Sequence, residues 1–358
     1  MGIPHRSNEK KQRLLEELRH SLSQSIDKEF PDAQLIQFLE ANVWVVNDAR
    51  QQLMDTVNWR KKMDTDHIPV ATKYNKLPLL VACRGYKHID DANFTVRPEL
   101  SESVIRIANC IGGDCFHKFD KEGHPILIDR TGYHNTKEMG NNVTATEITN
   151  YQIAANEFLN RVIMPEGCER AGKTIHSETV IFDCTNMSLW QFHMSAMYHL
   201  KAIAEIVQNY YPETLHRLFI VNAPSAFVVM FKVIKPWLNP RVSIPCHRAT
   251  ELHQLTALRY YKTLDKIHVL GSNFQTVLLD YIEADDLPDF LGGNCTCKHM
   301  PGGCVPIIAQ KPKDKFKATD KNNKVPTVYN SDIMEAATVD EQLCCLVPDS
   351  NTSSIYYD

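Results

Sequence analysis

The N-terminal part of the chain carries apolar residues at helical spacing. Leu14, Leu18, Leu22 and Ile26 follow one another every four residues, and charged residues lie between them. This period places the four side chains on one face of a helix. The pattern therefore predicts a single amphipathic helix over residues 10–30.

Two further helices are predicted downstream. The first covers residues 32–39. The second begins near Asn47, a residue type that is common at helix N-termini, and ends in the basic run after Trp59. Together the three helices predict a small helical N-terminal domain over residues 10–65.

The pattern changes at about residue 98, where short β-rich runs begin to alternate with helical segments. Strands are predicted at residues 115–119, 125–129, 178–183, 218–221 and 266–270. Helices are predicted at residues 144–164, in the segment that ends at Tyr210, and at residues 274–281. This alternation is typical of an α/β layer fold and predicts a second domain over residues 98–305.

The last part of the chain has no apolar period. The stretch "KPKDKFKATDKNNK" is polar and charged, and it cannot bury enough apolar surface to offset the entropy of ordering. We therefore expect a disordered tail over residues 310–358.

The segment "NAPSAFVVMFKVIKPWLNP", residues 222–240, is unusually apolar. A membrane-spanning helix needs about 20 apolar residues, so this run is too short to cross a bilayer. Three interpretations remain, namely a core helix, a helix that lies in a membrane surface, and the lid of a lipid pocket. The two lysines of the segment, Lys232 and Lys235, would need access to water or to lipid headgroups.

Composition and charge limit the kinds of protein that this sequence can encode. Of the 358 residues, 43% are apolar and 9% are aromatic, which is ordinary for a globular chain. The 39 basic residues nearly balance the 43 acidic ones, and the formal net charge is −4. This balance argues against a broad nucleic-acid interface, so no nucleic-acid partner is expected.

The N-terminal stretch predicts the cellular compartment of the protein, and the compartment in turn predicts the state of its cysteines. The residues "MGIPHRSNEKKQR" are charged and lack the apolar core of a secretory signal, so we expect a cytosolic protein. In that compartment the 11 cysteines are expected to be free thiols.

Motifs for catalysis and for phosphate binding are absent from the sequence, including the P-loop, G-x-G-x-x-G, H-E-x-x-H and G-x-S-x-G. Asp183 and Glu213 are a conceivable carboxylate pair for acid–base work, but capping and turn roles are favoured because no nucleophile accompanies them. We expect no enzyme activity and no cofactor.

The stretch "CTCKHMPGGC" is the only one with metal-ligand residue types at short spacing. Cys295, Cys297, His299 and Cys304 could supply four soft donors to zinc. The C-x-C spacing is tighter than the usual C-x-x-C of structural zinc sites, so a turn with free thiols is the favoured interpretation and no metal is expected.

The order of several motifs resembles one family. These are "LIQFLEANVWVVNDARQQLMDTVNWR", "FDKEGHPILIDRTG", "ETVIFDCTNMSL", "QNYYPETLHRLFIVNAPSAFVVMFKVIKPWLNP" and "LPDFLGGNCTC". In order and spacing they resemble the CRAL-TRIO family, and in particular fungal phosphatidylinositol/phosphatidylcholine transfer proteins of the secretory pathway. The resemblance covers about residues 10–305. It implies a helical CRAL-TRIO-N bundle, followed by a CRAL-TRIO domain whose mixed, largely parallel sheet floors a lipid pocket under a gate helix.

The resemblance also implies roles for individual residues. The gate helix would cover residues 225–238, with the side chains of Phe227, Met230, Phe231, Lys232, Ile234 and Lys235 facing the pocket or the membrane. The inositol phosphate headgroup would contact Glu213, Thr263 and Lys266. The last two follow an excess of 21 residues, 242–262, which is interpreted either as an inserted loop or as a translated intron.

Other positions depart from the family pattern. Asn42 and Val43 replace a basic pair, so one expected arginine contact to phosphate is missing. The phosphatidylcholine pocket positions are occupied by Phe116, Leu127, Glu178 and Val180. A choline ammonium is normally held by aromatic faces and hydroxyl groups, which makes phosphatidylcholine the less favoured ligand.

These observations predict a monomeric, cytoplasmic phospholipid transfer protein that binds membranes transiently, with phosphatidylinositol as the favoured ligand. By family resemblance the membranes would be those of the Golgi or of endosomes. Two alternatives stay open. One is a carrier of a sterol, another phospholipid or haem, and the other is a scaffold with a vestigial pocket that transfers no lipid.

Overall fold

The computed structural model of the chain describes part of the sequence in detail. The described residues are 3–70, 79–87, 100–188, 194–224, 227, 231 and 264–307, with side chains from residue 8 in the first range and from residue 197 in the fourth. The proposed insertion at 242–262 and the tail at 310–358 lie outside them. No described helix has both the length and the apolar character that crossing a bilayer requires.

Four helices form the N-terminal region: α1 (Ile3–His20), α2 (Gln24–Glu29), α3 (Asp32–Ala41) and α4 (Val46–Met63). The prediction of one helix over residues 10–30 is wrong, because the chain breaks between α1 and α2. At the break the Ser21 hydroxyl donates to the Leu18 carbonyl at 2.6 Å, a local bond that competes with helix continuation. The guanidinium of Arg19 then pairs with Asp27 and Asp32 across the turn.

The rest of the described chain is built around a six-stranded sheet. Its strands are β1 (Ala82–Arg84), β2 (Asp114–Phe119), β3 (Pro125–Asp129), β4 (Glu178–Asp183), β5 (Leu215–Val221) and β6 (Ile267–Val269). They lie side by side in chain order, and only the β2–β3 pair is antiparallel. This mixed, largely parallel sheet confirms the predicted α/β class. Its first strand begins before residue 98, where the sequence pattern placed the start of the domain.

The β2–β3 hairpin follows from its turn. The Asp120 carboxylate accepts hydrogen bonds from the backbone N–H groups of Glu122 and His124 at 3.0 and 2.9 Å, which closes the connection locally. Parallel neighbours need longer crossovers, and helices supply them. From β1 to β2 the helix is α5 (Glu102–Cys110), from β3 to β4 the helices are α6 (Thr136–Asn142), α7 (Ala145–Phe158) and α8 (Met164–Ala171), and from β4 to β5 it is α9 (Met194–Tyr210). The last helix, α10 (Phe274–Tyr281), follows β6.

The predicted helix at 144–164 begins as expected and ends later. Thr144 and Glu147 form a reciprocal capping box at its start. A π-helical turn, Leu159–Ile163, joins α7 to α8, so the helical segment continues to Ala171.

Alternating side chains give the sheet two faces. We name one the closed face, where Cys115, Ile126, Ile128, Ile181 and Phe219 are buried against Phe274 and Leu278 of α10. We name the other the open face, which carries Phe116, Leu127, Glu178, Val180, Phe182, Leu218 and Ile267. Helices α7 and α9 lie over its Phe116 end.

The N-terminal helices pack firmly onto the sheet domain through α4 and α9. The Trp59 indole stacks on the Tyr210 ring, with centroids 4.1 Å apart and planes 3° apart. The guanidinium of Arg60 donates to the buried Glu157 carboxylate at 2.8 Å. The Gln52 amide donates to the Gln208 carbonyl at 3.0 Å. Apolar stacking, an ion pair and hydrogen bonds therefore fix the bundle against one edge of the open face.

Candidate functional site

Three of the predicted pocket residues lie in one row across the sheet. Phe116 of β2 is opposite Leu127 of β3, and Leu127 is opposite Val180 of β4. Leu218 of β5 continues the row. Phe116 and Val180 are buried, whereas Leu127 and Leu218 are only half-buried although they lie in interior strands of the sheet. The row therefore forms an apolar floor that the described helices cover incompletely.

Glu178, the fourth predicted pocket residue, lies on the same face because it precedes Val180 by two positions. Its Oε2 atom is buried and has no hydrogen-bond partner among the described residues. Burial raises the pKa of the Glu178 carboxyl to about 8, so the group is mostly protonated at neutral pH. The floor therefore carries an uncharged carboxylic acid, which can donate one hydrogen bond. Sequence reasoning identified the substitution but gave no sign of this protonation state.

Two predicted gate residues are described, and both lie against the open face. Phe227 is buried, and its ring is 5.7 Å from that of Phe231, centroid to centroid. The pair packs on Phe182 and Ile220, beyond the area covered by α7 and α9. The other predicted gate residues lie outside the described part of the chain: Met230, Lys232, Ile234 and Lys235.

The predicted headgroup residues Glu213 and Lys266 meet directly. The ammonium group of Lys266 is 2.8 Å from the Glu213 carboxylate and donates to the Leu215 carbonyl at 2.7 Å. Glu213 has a φ of 58° in the turn after α9, and this left-handed backbone directs the chain from the helix into β5. Thr263, the third predicted headgroup residue, lies outside the described residues.

The ion pair and the two phenylalanines lie at opposite ends of the open face. Glu213 precedes β5 and Lys266 precedes β6, whereas Phe227 and Phe231 follow the carboxyl end of β5. The seven residues of β5 span about 23 Å at about 3.3 Å per residue. The polar pair and the aromatic pair are therefore separated by the length of β5, the strand that contributes Leu218 to the floor.

Residues near the ion pair include two that sequence reasoning missed. The Gln37 amide of α3 donates to the carbonyls of His176 and Pro212 at 3.4 and 3.3 Å, which brings the N-terminal helices to this rim. Burial lowers the pKa of His176, and Lys266 adds to the effect, while the carboxylates of Glu40 and Glu213 oppose it. Only the folded chain brings these groups together, because they are far apart in sequence.

Asn42, which stands where the family has a basic residue, is an interior group. It is fully buried, and its amide donates to the Phe38 carbonyl at 2.7 Å and to the Gln52 side chain at 2.6 Å. The substitution therefore replaces a charged side chain by a buried amide whose hydrogen bonds link α3 to α4.

The conceivable acid–base pair of Asp183 and Glu213 is not formed. Asp183 lies at the carboxyl end of β4, where Oδ1 accepts hydrogen bonds from the Thr185 hydroxyl at 2.6 Å and from Asn222 at 2.9 Å. Glu213 lies at the amino end of the neighbouring strand. The favoured turn role of Asp183 is confirmed.

The cysteine-rich stretch folds against the closed face. Cys295, Cys297 and Cys304 are free thiols that gather around His117 of β2, and the four ligand atoms lie within 4.8 Å of one another. His299, the histidine of the sequence hypothesis, is exposed and lies outside this cluster. The correct partner was missed because His117 is 178 residues upstream of Cys295 (295 − 117).

Comparisons with known proteins agree with this architecture. Residues 112–258 match the model of the CRAL/TRIO domain. The chain is 31% identical over 271 residues to the phosphatidylinositol/phosphatidylcholine transfer protein SFH4 of Arabidopsis thaliana, covering 76% of this chain and 36% of that protein. Its identity to the protein SFH11 of the same plant, also a phosphatidylinositol/phosphatidylcholine transfer protein by name, is 36% over 190 residues, covering 53% and 45%. The chain thus spans less than half the length of these two plant relatives.

A fungal relative is matched along most of its length. The Sec14 cytosolic factor of Schizosaccharomyces pombe is 25% identical over 305 residues, which cover 85% of this chain and 88% of that protein. The crystal structure of Sfh5 has a TM-score of 0.41 and 18% identity, covering 68% of this chain and 66% of that chain, and a likeness of this size adds nothing to the fold. The match of residues 112–258 and the Sec14-like relatives identify the chain as one that carries a CRAL/TRIO domain, and the resemblance drawn from its motifs is confirmed.

Proposed function

We propose that this protein binds single phospholipids and transfers them between membranes, without covalent chemistry, and that phosphatidylinositol is its favoured ligand. The observation that carries the proposal is the incompletely covered apolar floor, with a polar pair at one end and two phenylalanines at the other. Three relatives named for phosphatidylinositol/phosphatidylcholine transfer, or for a cytosolic Sec14 factor, support it.

The dimensions of the floor suit an acyl chain. One leaflet of a bilayer has a hydrocarbon thickness of about 15 Å, half of about 30 Å, so an open face that is about 23 Å long at β5 is long enough for one chain and its glycerol link. Each methylene is worth about 0.8 kcal/mol when it leaves water. A floor that offers equivalent apolar contact makes exchange with the bilayer nearly neutral in free energy, and no reaction is needed to drive it.

The polar rim favours an anionic headgroup that also carries hydroxyls. Lys266 uses two of its three N–H donors on Glu213 and Leu215, and a phosphate oxygen would compete for this ammonium group. The Glu213 carboxylate can accept hydrogen bonds from inositol hydroxyls. Glu178 and Val180 replace groups that would hold choline, which supports phosphatidylinositol over phosphatidylcholine.

A vesicle transfer assay tests the proposal. Donor vesicles carry fluorescent phosphatidylinositol or phosphatidylcholine, and acceptor vesicles carry a quencher. The double variant Glu213→Ala/Lys266→Ala is expected to lower phosphatidylinositol transfer at least tenfold, because both polar partners of the headgroup are lost. The matched control is Glu122→Ala/Arg217→Ala, which removes a 2.7 Å ion pair from the neighbouring surface and should leave transfer unchanged.

Extraction and mass spectrometry of the copurified ligand distinguish the alternatives. A bound ligand without phosphate would contradict the phospholipid proposal and favour a sterol or haem carrier. A wild-type protein that moves no labelled lipid would favour a scaffold with a vestigial pocket. Equal transfer by the double variant and the wild type would show that Glu213 and Lys266 do not bind the headgroup.

A further inference from the structure

The four side chains that cluster on the closed face have the geometry of a metal site. We propose that Cys295, Cys297, Cys304 and the Nε2 atom of His117 bind one structural Zn²⁺ ion in a tetrahedral Cys₃His site. The site lies on the face opposite the proposed lipid floor, and the proposal is independent of the proposed function.

The spacing of the ligand atoms agrees with a zinc tetrahedron. Zn–S bonds of about 2.3 Å and Zn–N bonds of about 2.0 Å place two sulfurs about 3.8 Å apart and a sulfur and a nitrogen about 3.5 Å apart. The Sγ atoms of Cys295 and Cys297 are 3.5 Å apart, and Cys297 Sγ is 3.7 Å from His117 Nε2. A disulfide would need about 2.05 Å between sulfurs. The cluster therefore needs only small shifts to hold the ion.

The surroundings of His117 also favour coordination. The side chain is fully buried. The Nε2 atom faces a thiol, which is a weak hydrogen-bonding group. Buried polar groups usually have a stronger partner, and a metal bound at Nε2 would supply one.

The loop that carries the cysteines is folded so that its thiols converge. Cys297 has a φ of 42°, and Gly302 and Gly303 have φ values of 78° and 70°, so left-handed backbone returns the chain and brings Cys304 back to Cys295. The buried guanidinium of Arg84 donates to the carbonyls of Gly303 and Pro301 at 2.8 and 3.0 Å, which holds the turn. These contacts hold the loop in the conformation that brings its thiols together.

The donor set determines the class of metal and its role. Thiolate and imidazole donors select Zn²⁺ over Mg²⁺ or Ca²⁺, which prefer oxygen. Four protein ligands close the coordination sphere, as in structural rather than catalytic zinc sites. The ion would tie the loop at 295–304 to β2, and ligands from two distant segments make its binding energy part of the folding energy.

Metal analysis of the full chain tests the site. The protein is purified with zinc in the growth medium, dialysed against buffer with a weak chelator, and measured by inductively coupled plasma mass spectrometry. We expect about one zinc per chain. His117→Ala and Cys297→Ser should lose at least nine-tenths of it. His299→Ala and Cys110→Ser are the matched controls, because they remove the same residue types outside the cluster, and both should keep the metal.

A spectroscopic measurement on the wild type keeps the test valid if the ligand variants misfold. Replacement of zinc by Co²⁺ should give intense visible bands of a tetrahedral site and a near-ultraviolet thiolate-to-cobalt band. Removal of the metal by a strong chelator should lower the melting temperature by about 5 °C or more. A wild-type chain without stoichiometric metal, or a Co²⁺ spectrum of octahedral type, would overturn the proposal. Loss of zinc in His299→Ala would overturn the assignment of His117.

Discussion

The two faces of one sheet differ in how completely they are packed. On the closed face, Ile126, Ile128 and Ile181 are fully buried against α10 and the loop that follows it. On the open face, Leu127 and Phe182 belong to the same strands and are only half-buried. The strands and their hydrogen bonds are shared, so the difference comes entirely from what covers each side. Closing one face supplies stability, and an incompletely covered face leaves apolar surface for a ligand.

The polar groups on the two faces also differ in how completely they are hydrogen-bonded. Arg84 on the closed side has its guanidinium donors bonded to backbone carbonyls. On the open face, no described residue forms a hydrogen bond with the Oε2 atom of Glu178. An unpaired buried polar group costs free energy, and a ligand that pairs with it recovers that cost. Within the described part of the chain, the open face thus has both exposed apolar surface and an unpaired polar atom, as expected of a binding surface.

The largest predicted difference between the faces is in core packing. Ile128→Ala should lower the free energy of unfolding by about 4 kcal/mol, because it leaves a cavity in a face with no room to collapse. Leu127→Ala, one residue away in the same strand, should cost about 1 kcal/mol, since its side chain is already half-exposed. Urea unfolding followed by circular dichroism measures both. Equal losses would show that the two faces are packed alike.

The second prediction concerns Arg84, whose guanidinium holds the cysteine-bearing loop on the closed side. Arg84→Met should lower the free energy of unfolding by about 3 kcal/mol, because the Gly303 and Pro301 carbonyls lose their buried donors. Arg217→Met is the control, since its pair with Glu122 is partly exposed and exposed pairs contribute at most about 1 kcal/mol. Thermal unfolding of the two variants gives the comparison. A stability of Arg84→Met like that of the wild type would mean that the loop needs no anchor.

The third prediction concerns the aromatic end of the open face. Phe231→Ala should slow lipid transfer about tenfold, because loss of about 1.4 kcal/mol of apolar contact raises the free energy of the closed, loaded state. Its effect on unfolding should be small, since the ring is half-buried. Phe274→Ala is the matched aromatic control on the closed face, and it should lower stability much more than transfer per folded molecule. The reverse ranking would contradict the assignment of Phe231 to the gate.

The smallest prediction is a dependence of stability on pH. The pKa of Glu178 is about 8 in the folded chain and about 4.3 in an unfolded one, so the folded state holds a proton that the unfolded state releases. Wild-type stability should therefore fall as pH rises from about 4.3 to about 8. Glu178→Gln cannot titrate, and its stability relative to the wild type should rise by about 1 kcal/mol between pH 7 and pH 8.

Urea titrations at the two pH values measure this change. Glu169→Gln, which alters an exposed glutamate, is the control and should follow the wild type at both values. A constant difference between Glu178→Gln and the wild type would mean that the carboxyl is solvated and ionised in the folded chain.

Local patterns predicted much of the fold. The strand at 178–183 and the helix at 274–281 have the predicted bounds, because alternation and helical period are properties of neighbouring residues. β1 was not predicted, because three residues are too few to show a period. The single helix at 10–30 was predicted wrongly, because the break depends on bonds from Ser21 and Arg19 that the apolar period does not reveal.

The sequence by itself determined the fold class, the resemblance to CRAL/TRIO proteins and the identity of the residues on each face of the strands. Periods of two and about 3.6 residues and an ordered set of motifs are readable without coordinates. Only the tertiary structure decided which groups meet, because sheet order brings together residues that are distant in the chain. It paired Glu213 with Lys266, buried the Oε2 atom of Glu178 where no described residue bonds to it, and placed His117 rather than His299 beside the three thiols.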